Sequence, residues 1–131
     1  MKVVRLTQTK SLKGDRSRSY QLINPDNVGS RRFMITLVEI QPGGSTPAHE
    51  HRTVESMYYI LEGHGEIYSA GGKAGGRVGP KTAVHFPSGS THGIRNTGRT
   101  KLVYLSCHAP PYEIEELYKH WGAGDILTTG G

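Results

Sequence analysis

Punctuation is what most narrows the fold of this chain. Short runs of β-forming residues recur, each closed by a glycine, proline or asparagine turn, at intervals of roughly 8–12 residues. Phe33–Ile40 is the first strong run, with Met34, Thr36 and Val38 alternating against Phe33, Ile35 and Leu37 before Pro42-Gly43-Gly44 stops it. Met57–Leu61 leads into Glu62-Gly63-His64-Gly65, where two glycines around one residue suit a tight hairpin. Tyr20–Ile23, Glu66–Tyr68, Thr82–Phe86, Gly93–Arg95 and Lys101–Cys107 complete the strand set, and Asn24–Asn27 is a turn signal. Residues 10–19 and Gly71–Gly76 read as loops. The 18 glycines show no collagen-like period, so they mark turns, and the expected class is an all-β sandwich or barrel.

The end of the chain changes period. Ile114, Leu117, Tyr118 and Trp121 recur at helical spacing, with acidic residues leading, Lys119 and His120 trailing and Gly122 at the stop. One short amphipathic helix is expected over 111–122, packed on the β body. At 131 residues the chain reads as one domain, 1–131, large enough to bury a core without disulfides. A single cysteine, Cys107, allows no intrachain disulfide, and no run of roughly 18 apolar residues is present, so a soluble cytoplasmic protein with no membrane partner is expected. The net charge is +5, but Ser, Thr and Gly separate the early cations and no recognition-helix pattern accompanies them; solvated surface is expected and no nucleic acid.

Chemistry is concentrated in two stretches, Gly43–Glu55 and Pro87–Asn96. In an extended strand, His49 and His51 point both imidazoles to one face, and His92 can close the same site from another strand. Imidazole and carboxylate both donate lone pairs to a divalent ion, and Glu55 lies four residues past His51.

These stretches resemble the cupin superfamily. Gly43, His49, His51, Glu55 and Gly63 map onto its first motif, Gly-x5-His-x-His-x3/4-Glu-x6-Gly. Pro87, Gly89, His92 and Asn96 map onto its second, Gly-x5-Pro-x-Gly-x2-His-x3-Asn, and the resemblance covers residues 33–110. It implies a small antiparallel β-barrel of jelly-roll type (double-stranded β-helix) holding one divalent ion, Mn, Fe, Ni, Co or Zn, on His49, His51, Glu55 and His92. Two positions depart from the pattern. Counted back from Gly63 the glutamate position falls on Ser56, counted forward from His51 on Glu55, and a one-residue shift turns a strand side chain to the other face. Either a bulge makes Glu55 the ligand or Ser56 sits beside a three-histidine site. Lys81 stands where the second motif has its first glycine.

Other residues have plainer readings. His64, His108 and His120 read as surface or hydrogen-bonded histidines, Asn96 as a turn residue and Cys107 as a buried apolar group. Ser56, Tyr59, His85 and Phe86 are candidates for a substrate pocket, although Tyr58 and Tyr59 face opposite ways and His85 reads equally as a packed ring. No catalytic acid or base is assigned. The expectation is a metal-dependent enzyme of dioxygenase, decarboxylase, isomerase or lyase type. Its small substrate would be anionic, drawn by Arg52, Lys81 and Arg95, and would bind the metal through oxygens. The alternative is a non-catalytic sugar- or metabolite-binding module with a structural metal. The resemblance further implies a homodimer.

Overall fold

Alternation in β3 (Met34–Ile40) sets the two faces of the molecule: Met34, Thr36, Val38 and Ile40 are buried while Ile35, Leu37 and Glu39 are half-exposed. A computed structural model describes residues 1–50, 52–69, 73–115 and, as backbone, 126–128. The chain runs through β1 (Lys10–Gly14), β2 (Ser17–Ile23), a single helical turn α1 (Pro25–Val28), β3, β4 (His49–Glu50), β5 (Glu55–Glu62) and β6 (Gly65–Tyr68). It continues through β7 (Ala74–Val78), β8 (Ala83–Phe86), β9 (Thr91–Asn96), β10 (Leu102–Ala109) and β11 (Ile126–Thr128). All the strand pairs are antiparallel and form two sheets, a seven-stranded one ordered β11-β1-β2-β3-β10-β5-β8 and a four-stranded one ordered β4-β9-β6-β7.

The sheets face each other over one core. Val38, Ile40, Tyr58, Ile60, Phe86, Leu102 and Tyr104 come from the long sheet and Ile67, Val78 and Ile94 from the short one. Each such aliphatic side chain stabilises the fold by roughly 1.5–3 kcal/mol through burial. This is the jelly-roll architecture the motifs imply, built from two packed sheets rather than one continuously hydrogen-bonded barrel.

Three local expectations change and a fourth is sharpened. Residues 10–14 and 17–19 are strand, not loop, and pair as a hairpin through Asp15 and Arg16, the latter with φ +50°. Ala74–Gly76 belongs to the edge strand β7. Gly63 does not close a hairpin: β5 and β6 belong to different sheets, and Gly63, at φ +81° against the Lys101 carbonyl, makes the corner between them. Asn24–Asn27 is indeed a turn, one helical turn that the Asn24 side chain caps by accepting from the Asp26 and Asn27 amides at 3.0 Å each. The expected C-terminal helix opens at Ile114–Glu115 and its remainder, 116–122, lies outside the described residues. No described helix is long and apolar enough to cross a membrane.

Candidate metal centre

His49 and His92 meet between the sheets because β4 pairs with β9 in a register that sets them directly opposite each other. Their ring centroids are 4.7 Å apart and both side chains are buried. His49 Nδ1 lies 2.9 Å from the Pro47 carbonyl. A carbonyl only accepts, so Nδ1 carries the hydrogen and the lone pair of the neutral ring sits on Nε2. Burial pushes the pKa of His49 below its usual value, more than the Pro47 hydrogen bond raises it, which favours the neutral, ligating form. A ring fixed through its second nitrogen is how metal-binding histidines are oriented, so these donors fit a divalent ion. His51 lies outside the described residues, and among the described residues no third His, Cys, Asp or Glu joins the pair.

An aromatic wall holds the pair. Phe86 stacks on His92 with centroids 3.7 Å apart, and Tyr58 meets both rings edge-on, 4.8 Å from Phe86 and 5.7 Å from His92. Tyr104 lies 4.5 Å from Tyr58. Phe86 is a buried core residue packed on His92, and Tyr58, not Tyr59, is the tyrosine beside it.

β5 turns Ser56 inward and Glu55 outward. Ser56 is 3% exposed and its Oγ is 2.6 Å from His108 Nδ1. Glu55 is exposed on the opposite face of the sheet, 2.5 Å from His85 Nε2, so the carboxylate expected as a ligand is not brought to the imidazoles. The physical reason is strand parity: β5 is regular from Glu55 to Ile60 against β10, and the one irregularity in that pairing, at Leu61 between Ile60 and Glu62, lies too far along the strand to turn Glu55 inward. Tyr59 and His85 fall on the same outer face and leave the pocket set for the same reason. His108, read as a surface or hydrogen-bonded ring, is buried and hydrogen-bonded; its alternation with Tyr104 and Ser106 in β10 was the available signal.

Asn96 is a turn residue and more. Its Oδ1 accepts from the Gly98 amide at 2.8 Å, while its Nδ2 donates to the Ile40 and Thr100 carbonyls at 2.8 Å each. The cations expected to attract an anion stay outside. Arg95 pairs with Glu66 at 3.6 Å and lies over the Tyr68 ring, Arg52 pairs with Glu50 at 3.7 Å, and Lys81 is exposed. Tyr68 in turn donates to the Thr46 carbonyl.

A cavity of about 30 Å³ lies beside His49, lined by Ser19, Thr36, Tyr58, Ser106 and His108 among others, and bounded by Tyr112 and Ile114. Those last two side chains also border a larger cavity of about 530 Å³ reached by Gln21, Met34 and Glu115. His49 borders the smaller space, and Tyr112 and Ile114 stand between it and the larger one.

An antiparallel jelly roll with histidines facing each other inside it defines the class of protein. A Cupin domain model matches residues 36–108, more than half of the sequence, and the chain belongs to the cupin family. It is 30% identical to the uncharacterized protein MJ1618 of Methanocaldococcus jannaschii over 96 residues, 73% of this chain and 75% of that one. It is 26% identical to the oxalate-binding protein of Thermotoga maritima over 102 residues, 78% of this chain and 82% of that one. Among solved structures, the polyketide cyclase RemF from Streptomyces resistomycificus is 30% identical with a TM-score of 0.70, covering 83% of this chain and 79% of that one.

Proposed function

We propose that this protein is a divalent-metal-dependent enzyme acting on a small carboxylated or enolisable molecule. The ion is held by His49, His92 and His51, with Ser56 and not Glu55 on the inner face beside them. The observation that carries this is His49: buried, opposite His92, and oriented by Pro47 so that Nε2 holds the lone pair. Bound there, Mn, Fe, Ni, Co or Zn supplies Lewis-acid polarisation of substrate oxygens, or a redox centre in the case of iron or manganese. The chain's own part is to fix the two rings, stack Phe86 on His92 and keep bulk water from a site walled by Tyr58 and Tyr104. The oxalate named for the Thermotoga relative supports a carboxylate, with decarboxylase, dioxygenase, isomerase and lyase chemistry as the reaction types to test. The protein works in the cytoplasm as a homodimer on this reading.

Elemental analysis of protein purified without added metal, followed by a turnover screen on oxalate and other short carboxylates, tests it. His49→Ala is expected to lose metal and turnover together. Full activity in metal-free protein would sink the reading. The small cavity favours a second reading, a binding module that holds a small ligand without converting it. Saturable oxalate binding by metal-loaded protein with no product from any substrate screened would establish that one instead.

A further inference from the structure

Facing the same cavity as His49, the long sheet presents a row of side chains hydrogen-bonded to one another across three strands. Ser56 Oγ and His108 Nδ1 are 2.6 Å apart, His108 Nε2 and Ser106 Oγ 2.9 Å, and Ser106 Oγ and Thr36 Oγ1 2.8 Å. All four residues are buried, at 1–3% exposure. Register builds the row: Ser56 opposes His108 across β5 and β10, Ser106 opposes Thr36 across β10 and β3, and His108 and Ser106 share a face two residues apart. Stability alone does not demand it, because replacing both partners of a buried hydrogen bond by apolar groups of the same shape is close to neutral. Its place in the wall of the candidate site is the better account.

Proton counting shows what the row offers. Three hydroxyls and one neutral imidazole carry four polar hydrogens, and the three contacts consume three of them. Thr36 is the hydroxyl at the cavity end, since Thr36, Ser106 and His108 line the cavity with His49. With the row pointing from Ser56 toward Thr36, His108 accepts at Nδ1 and donates from Nε2, and the Thr36 hydroxyl donates into the cavity. With the other tautomer of His108 every bond reverses, Thr36 donates to Ser106, and its oxygen lone pairs accept from the cavity. The row therefore presents either a donor or an acceptor at one point, switched by a tautomer change with no net charge.

We propose that Thr36, backed by Ser106, His108 and Ser56, is a ligand subsite that takes a hydroxyl or carbonyl oxygen of a substrate whose carboxylate lies at the His49–His92 centre. The substrate class is then a short hydroxy- or oxo-acid that seats only its oxygen-bearing carbon and that oxygen in the cavity, which at about 30 Å³ has room for about two water-sized groups. The inference rests on the metal reading above.

Calorimetric titration of zinc-loaded protein with lactate, pyruvate and propionate tests it. The three share a carboxylate and differ in a hydroxyl, a carbonyl or a methylene beside it. Wild type is expected to bind lactate and pyruvate more tightly than propionate. Thr36→Val, which keeps the shape and removes the hydroxyl, is expected to weaken both by about tenfold, the size of one net hydrogen bond, with propionate affinity and zinc content unchanged. Thr36→Ser is expected to restore them. Unchanged lactate and pyruvate affinities in Thr36→Val would overturn the subsite, as would equal weakening of all three acids or no binding of any by fully zinc-occupied wild type. Failure of wild type to take up zinc would overturn the metal reading, and the subsite with it.

Discussion

Asn96 shows how one side chain holds the site in place. Its amide joins the end of β3 to the loop after β9 through the Ile40, Thr100 and Gly98 backbones, and β9 is the strand that carries His92. Asn96→Ala removes three hydrogen bonds and strands buried backbone groups, so a loss of about 2–4 kcal/mol is expected in urea unfolding, with weakened metal retention. His49 gives a pH signature. Burial lowers its pKa beneath the usual 6.5, so as pH falls the unfolded ring takes a proton before the folded one does. Its contribution is fully present above about pH 6.5 and is lost below it, at up to about 1.4 kcal/mol per pH unit, until the folded ring also protonates. Denaturation of metal-free protein between pH 8 and 5 checks this. Stability is expected to fall more steeply in wild type than in His49→Gln, and parallel curves would contradict it. Glu55 behaves differently again. Its exposed pair with His85 contributes less than about 1 kcal/mol, and Glu55→Gln is expected to leave metal content unchanged where His92→Ala abolishes it.

Among the elements, those whose buried positions are apolar were legible in the sequence and those whose buried positions are polar were not. β3, β5 and β10 announce themselves by alternation or by β-branched and aromatic runs. β1 and the first half of β2 read as loop because two of their buried residues are Ser11 and Ser19, and Leu12 is the single buried apolar residue among them, too little for hydrophobic patterning to register. The register conflict between Glu55 and Ser56 was visible in the motif spacing; which side chain faced inward needed the pairing of β5 with β10. Lys81 is the converse case. The family pattern expects glycine there, and the backbone keeps the corresponding left-handed conformation, at φ +64°, with its amide bonded to the Ile60 carbonyl at 2.9 Å. A lysine held there is strained, so Lys81→Gly is expected to raise stability by up to about 1 kcal/mol, net of glycine's greater unfolded-state entropy. Guanidinium melts at matched metal content read this directly, and a destabilised variant would show that the lysine side chain contributes more than the strain removes.

At the scale of the whole molecule, the outer face of the long sheet carries an extended hydrophobic surface among the described residues. Two cross-strand rows run over four neighbouring strands, Tyr20–Leu37–Leu105–Tyr59 and Ile23–Ile35–Cys107–Met57, all half-buried or exposed and facing away from the core. Leu61 and Phe33, each 42% exposed, extend the patch. An apolar area of this extent argues for an interface, and a sheet face can pair with its own copy about a two-fold axis, so a second copy is the occupant expected. Such an interface needs to bury roughly 800 Å² per partner to be stable, the scale that eight to ten side chains of this size provide. Light scattering at micromolar concentration is therefore expected to give a dimer, and the double variant Tyr59→Glu, Leu105→Glu a monomer that retains its metal, because both residues face away from His49 and His92. A monomeric wild type would overturn the assignment. A variant that still dimerises would move the interface elsewhere and leave this face to another partner.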